Sequence, residues 1–189
     1  MQEITGNMAG VPYSRPDAPD ELKTLETYCN SARFLYGEDA FSDPANAMRW
    51  LRDHELGELQ LDQADLDQLV EVREAIRDHL DGEAPKATSA VLNHYAHRTL
   101  IGPEWTSTGQ AMVRPRADNG VQGLLGHLLA VLFTAGTRGA LSRLKTCRAR
   151  DCRWIFYDRS PSGNSVWCSM DICGARNKMR TYRGRARES

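Results

Sequence analysis

Cys147-Arg-Ala-Arg-Asp-Cys152 is followed, after fifteen residues, by Cys168-Ser-Met-Asp-Ile-Cys173. These two C-x4-C pairs contain four of the chain's five cysteines. Short cysteine pairs joined by a longer loop supply what a tetrahedral Zn²⁺ needs. Each pair closes a knuckle around the ion, and the loop turns the second knuckle to face the first. Two disulfides are the competing reading. Residues 1–10 carry Glu3 and no apolar run, so no signal peptide is expected. A chain in a reducing compartment uses clustered cysteines for metal or redox work rather than as staples. The x4 spacing also differs from the C-x-x-C of thioredoxin-type redox pairs. Zn²⁺ held by Cys147, Cys152, Cys168 and Cys173 is therefore the expectation.

The residues around the cysteines fit a small metal-dependent unit. Arg153-Trp154-Ile155-Phe156-Tyr157 reads as a strand, Asp158 to Asn164 as turn material, and Val166-Trp167 as the returning strand of a hairpin. Ser169 is placed to cap a helix, with Asp171 in its first turn. So few residues bury too little apolar surface to be stable alone, and a metal would supply the difference.

The segment resembles the CGNR-type zinc finger, a C-terminal module of bacterial proteins regarded as transcription regulators. The resemblance rests on Cys147, Cys152, Phe156, Asp158, Ser160, Trp167-Cys168-Ser169-Met170, Cys173-Gly174-Ala175-Arg176 and Lys178. It departs from the family where Ala175 replaces the signature asparagine. It departs again where the uncharged Pro161 to Val166 replaces an arginine-rich stretch. Neither change touches zinc binding; both imply weaker contact with nucleic acid than in an arginine-rich relative.

The segment stands apart in charge as well. Residues 143–189 carry twelve Lys/Arg and four Asp/Glu, a net +8, whereas the first 142 sum to −9 and the chain to −1. A basic tail on an acidic body suits a polyanion; it would also suit docking of the tail on the body. In the terminal helix Ile172, Ala175, Met179 and Tyr182 form an apolar stripe. Arg176, Arg180, Arg183 and Arg187 fall within roughly 60° of one another on the adjoining face. Lys178 and Arg185 lie on the opposite flank. Arg176, Lys178, Arg180, Arg183 and Arg187 are the expected nucleic-acid contacts, with DNA as the partner that the resemblance implies.

Upstream the 3.6-residue period dominates. Helices are expected over Asp20 to Phe34, from Pro44 behind the cap Asp43 to about Gly57, over Asp65 to Leu80, over Thr88 to Thr99, and from about Asp118 to Gly136. Trp105 to Val113 reads as a short β-hairpin around Gly109. This body resembles the ABATE domain that precedes the CGNR finger. The resemblance rests on Leu25 to Asn30, Asp43-Pro44 with Trp50-Leu51, Leu69 to Arg77, and Leu92-Asn93. It implies a regulatory role.

Arg73 falls in the middle of the apolar face formed by Leu66, Leu69, Val70, Ile76 and Leu80. A charge there needs a partner. One reading makes Arg73, with Asn30, the lining of a pocket for a small anionic ligand; the other pairs it with Asp39 or Asp43. Gly123 and Gly126 invite close approach of another backbone. Cys29 reads as a helix-core residue. His94 and His97 lack a metal-site partner set, and no catalytic or phosphate-loop motif occurs, so catalysis is not expected.

The fold class is thus a mainly α N-terminal domain over 1–142 with a small β-hairpin. A treble-clef-like four-cysteine zinc finger of hairpin and helix follows over 143–189. No apolar run approaches a membrane span, and a cytoplasmic protein is expected. A DNA-binding transcription regulator is the first functional reading, with a homodimer left open. A protein–protein interaction module with a purely structural finger is the second.

Overall fold

The computed structural model describes residues 15–82 and 85–185. Among the described residues are six α-helices: α1 (Leu22–Cys29), α2 (Pro44–Asp53), α3 (Gln63–Asp81), α4 (Pro85–Thr99), α5 (Gly120–Thr137) and α6 (Ala175–Arg185). Three two-stranded antiparallel sheets join them: β1 (Ala32–Arg33) with β2 (Glu38–Asp39), β3 (Leu100–Trp105) with β4 (Ala111–Pro115), and β5 (Leu144–Thr146) with β6 (Ile155–Tyr157). The loose lead-in expected over residues 1–16 lies outside the described residues except for 15 and 16.

Local chemistry sets the helix ends. Asp43 accepts from Asn46 N at 2.9 Å and Pro44 opens α2. Asp62 and Asp65 form a reciprocal capping box on α3, which Gly82 ends at φ +73°. The hairpin is longer than read, because β3 starts directly after α4 at Leu100. Gly109, at φ +80°, makes its turn.

α5 is the centre of the body. Val121, Leu124, Leu125, Leu128, Leu129, Leu132 and Ala135 are buried against α1, α3 and α4. A Cβ on Gly126 would sit 2.8 Å from Thr99 O and 3.0 Å from Pro115 Cβ, so the hairpin approaches α5 only because position 126 has no side chain. By length and composition α5 could cross a membrane. Its apolar residues are instead the core of the body.

Two expectations are corrected. The first helix stops at Cys29, not Phe34. The chain there folds into the β1–β2 hairpin, turning through Gly37 at φ +66°, which carries Asp39 back onto α3. In the finger, Val166-Trp167 is not the partner of the Arg153–Tyr157 strand. β6 pairs with β5, in register Leu144↔Tyr157 and Thr146↔Ile155. The first knuckle is therefore the turn of this hairpin, while Val166 accepts from Arg148 N at 3.0 Å. Leu144 and Ile155 join the core of the helical body.

Candidate metal centre and basic helix

The β5–β6 hairpin carries the first cysteine pair; of the second, Cys168 precedes a single π-helical turn (Met170–Gly174) and Cys173 lies within it. Cys152 N and Arg153 N both donate to Ala149 O, at 2.8 and 3.2 Å, and Arg153 takes a left-handed φ of +49° to close the knuckle. Ser169 accepts from Ile172 N at 3.3 Å, the cap expected from the sequence, and Cys173 N donates to Ser169 O at 3.0 Å. Gly174 is needed next. A Cβ there would lie 2.9 Å from Met170 Sδ and 3.4 Å from Trp167 Cδ1.

This brings the four predicted sulfurs together. Cys147, Cys152, Cys168 and Cys173 are buried and unbridged, with all four Sγ atoms within 4.8 Å of one another. The Cys152–Cys168 and Cys168–Cys173 Sγ separations are both 3.6 Å. A disulfide would hold its sulfurs at about 2.05 Å. Tetrahedral Zn–S bonds of about 2.3 Å would place them about 3.8 Å apart, close to what is seen. The electrostatics agree. Hydrogen bonding among the crowded thiols raises the Cys147 and Cys168 thiols, and burial pushes Cys173 up to about 12. Four thiolates share such a space only around a cation.

Asp158 organises the loop between the knuckles. It is fully buried and accepts from Ser160 N at 2.9 Å, Ser165 N at 2.9 Å and Lys145 Nζ at 2.7 Å. Burial alone would raise its carboxyl; the Lys145 ammonium and these donors outweigh it and hold Asp158 well below the usual carboxylate range.

A model of the ABATE family, described as "putative stress-induced transcription regulator", matches residues 25–146. The chain belongs to the ABATE family. A CGNR zinc-finger model matches residues 143–186 of the same ABATE protein, over the cysteine centre just described. Among curated proteins no relative matches. The zinc finger and the mainly helical body expected from the sequence are both present, and Zn²⁺ is the metal that the four cysteines fit.

Both expected pocket residues have partners inside the protein. Arg73 is 2 % exposed, and its guanidinium is engaged inside the protein. Nη1 and Nη2 bind the two Asp39 oxygens at 2.7 Å each, Nε binds Glu74 at 2.8 Å, and Nη1 also reaches Ser31 Oγ at 3.1 Å. Asp39 is the partner; Asp43 caps α2. The Asn30 amide is likewise spent, donating to Ile155 O and accepting from Ile155 N, both at 2.9 Å. It joins α1 to the finger.

Arg77, one turn after Arg73, was not singled out from the sequence. Fully buried, it donates to Glu74 at 3.1 Å, to Arg153 O at 2.6 Å and to Cys29 O. Its i+4 spacing from Arg73 on the same apolar face was the available signal.

The expected basic contacts divide. Arg176 and Arg180 converge on Asp151 Oδ2, Arg180 at 3.3 Å. Lys178 and Arg183 are exposed, and Arg187 lies outside the described residues. The apolar stripe is only partly covered. Ile172 meets the cysteine cluster, but Met179 and Tyr182 are 51 % and 70 % exposed. Among the described residues the main contact of α6 is with the Met170–Gly174 turn before it.

Proposed function

We propose that this ABATE protein is a cytoplasmic DNA-binding transcription regulator whose zinc finger presents α6 to the duplex. One observation carries the reading. A helix seated on the cysteine centre leaves Arg176, Lys178, Arg180 and Arg183 exposed, and its main contact among the described residues is with the turn before it rather than with the acidic helices. Its eleven residues span about 16 Å, a length that fits along a groove. The regulatory family description supports the same reading. Anion sensing through Arg73 is not part of it, since Asp39, Glu74 and Ser31 occupy that guanidinium.

Fluorescence anisotropy with a duplex at 50 and 200 mM salt tests it. Three or four neutralised phosphates give a slope of log K on log salt of about −3 to −4. An Arg176/Arg180/Arg183→Ala triple variant should lose most of the binding. The second reading, a protein-interaction module, draws on exposed Met170, Met179 and Tyr182. No duplex binding at 50 mM salt, or wild type and triple variant behaving alike, would favour it.

A further inference from the structure

The two arginines that converge on Asp151 differ from the other cations of the finger. Arg148 and Arg150 on the first knuckle, and Lys178 and Arg183 on α6, are exposed, and none makes a side-chain ion pair among the described residues. Arg176 and Arg180 instead share Asp151 Oδ2, and three charges there leave a net +1. Asp151 Oδ1 is buried and accepts no hydrogen bond. A buried acceptor without a donor is a cost that calls for an explanation. The hydrogen bonds Asp151 does make are those to the two arginines.

A carboxylate in a basic face weakens that face toward phosphate. It does something else to arginine: it fixes the plane of a long, rotamer-rich side chain before any ligand arrives. Each of the two guanidiniums gives Asp151 an Nη2 hydrogen and keeps its remaining donors. A pre-oriented fork whose charge is partly offset suits a neutral pair of acceptors. In a duplex major groove that pair is guanine O6 and N7. Position on the helix agrees. Arg176 and Arg180 are one turn apart in the first half of α6, and Lys178 is on its other flank.

Building on the DNA-binding reading above, we propose that Arg176, Asp151 and Arg180 form a base-reading unit selective for guanine in the major groove of B-form DNA. Arg176 and Arg180 are the contacting residues. Asp151 is a positioning residue. Phosphate affinity comes from Lys178, Arg183, Arg148 and Arg150, with the net +1 of the Arg176–Asp151–Arg180 group adding to it. The division separates sequence preference from salt dependence. Duplex RNA of the same sequence should compete poorly, because side chains cannot read its deep, narrow major groove.

The test is anisotropy competition with the full-length, zinc-loaded protein. The competitors are a G·C-rich duplex, the same duplex with 7-deazaguanine for guanine, and an A·T duplex. Replacing N7 by carbon removes one acceptor and leaves pairing and charge intact. Wild type should bind the guanine duplex about tenfold or more tighter than its 7-deaza form. Asp151→Ala should lose that preference, keep one zinc per chain, and bind all three duplexes at least as well as wild type binds the A·T duplex. Arg176→Lys keeps the charge without the fork, and should lose the preference with its salt slope unchanged. Arg183→Ala should keep the preference and lower the slope by about one. Wild type blind to the 7-deaza change, or Asp151→Ala retaining the full preference, overturns the base-reading unit and leaves DNA binding standing. No binding to any duplex removes both.

Discussion

The helical body and the finger solve the same problem with different materials. The body buries a contiguous set of leucines, valines and aromatics, with Leu25, Tyr28, Leu51, Leu69, Ile76, Leu125 and Leu128 excluded from solvent. The finger's own buried hydrophobic cluster is Cys147, Ala149, Cys152, Phe156, Cys168 and Cys173. Four of those six are thiols that crowd one another unless a metal lies between them. The body therefore rests on apolar burial, and the finger on coordination. Between them the contact is apolar through Leu144 and Ile155 and polar through Asn30, Arg77, Thr146 and Arg153. Coordination can be withdrawn in one step by a chelator; an apolar core cannot.

The largest effect should come from taking the metal away. Structural zinc is worth about 10–16 kcal/mol in isolated finger peptides, more than most domains have in hand. Chelation, or Cys168→Ser, should abolish zinc binding by metal analysis. Hydrogen exchange should then lose protection from Cys147 to Arg185 while α3 and α5 keep theirs. Collapse of both regions together would break the contrast.

Smaller is the loss expected inside the body from Asp39→Ala. Arg73 would remain buried with Glu74 and Ser31. Uncoupling a fully buried pair costs about 3–5 kcal/mol; with one carboxylate retained and Asp39 partly exposed, about 2 kcal/mol is expected in urea unfolding. Burial pushes the Asp39 carboxyl up, but Arg73 outweighs it, and the group sits below its ordinary value. Its stabilisation is complete above the unfolded carboxylate range, about 3.9, and is lost as pH falls below it. The urea midpoints of wild type and Asp39→Asn should therefore differ at pH 6 and converge toward pH 3. A gap that widens on acidification would contradict this pairing.

Asn30→Ala should cost least, about 1–2 kcal/mol, because it leaves Ile155 N–H and C=O without their side-chain partner. The loss should show first as faster amide exchange in β6, with zinc still bound. Unchanged exchange at β6 would mean that the joint does not depend on this amide.

Legibility followed the same division. The metal centre could be read because ligands are few, chemically distinct and fixed in spacing. The helices of the body could be read from the period of Leu66, Leu69, Ile76 and their like. The long-range partners could not. That β6 would pair with β5 depends on Asn30 and Arg77, more than seventy residues upstream, holding Ile155 and Arg153. A strand's propensity does not name its neighbour. Arg73 could be recognised as a charge in need of a partner, but the β1–β2 turn that delivers Asp39 looked like more helix. Asp151 was hidden by arithmetic, since a net charge sums over an acid that sits between two arginines.

Arg77 limits how this protein can be taken apart. Its guanidinium holds Cys29 O on α1 and Arg153 O beside the first knuckle, and its own carbonyl accepts from Thr146 Oγ1 at 3.4 Å. A cut at residue 142 would strand a fully buried cation in the first piece and bare Leu144 and Ile155 on the second. The two regions are thus modular in sequence but share a buried joint. A finger transplanted onto another scaffold would have to bring a helix carrying this arginine with it.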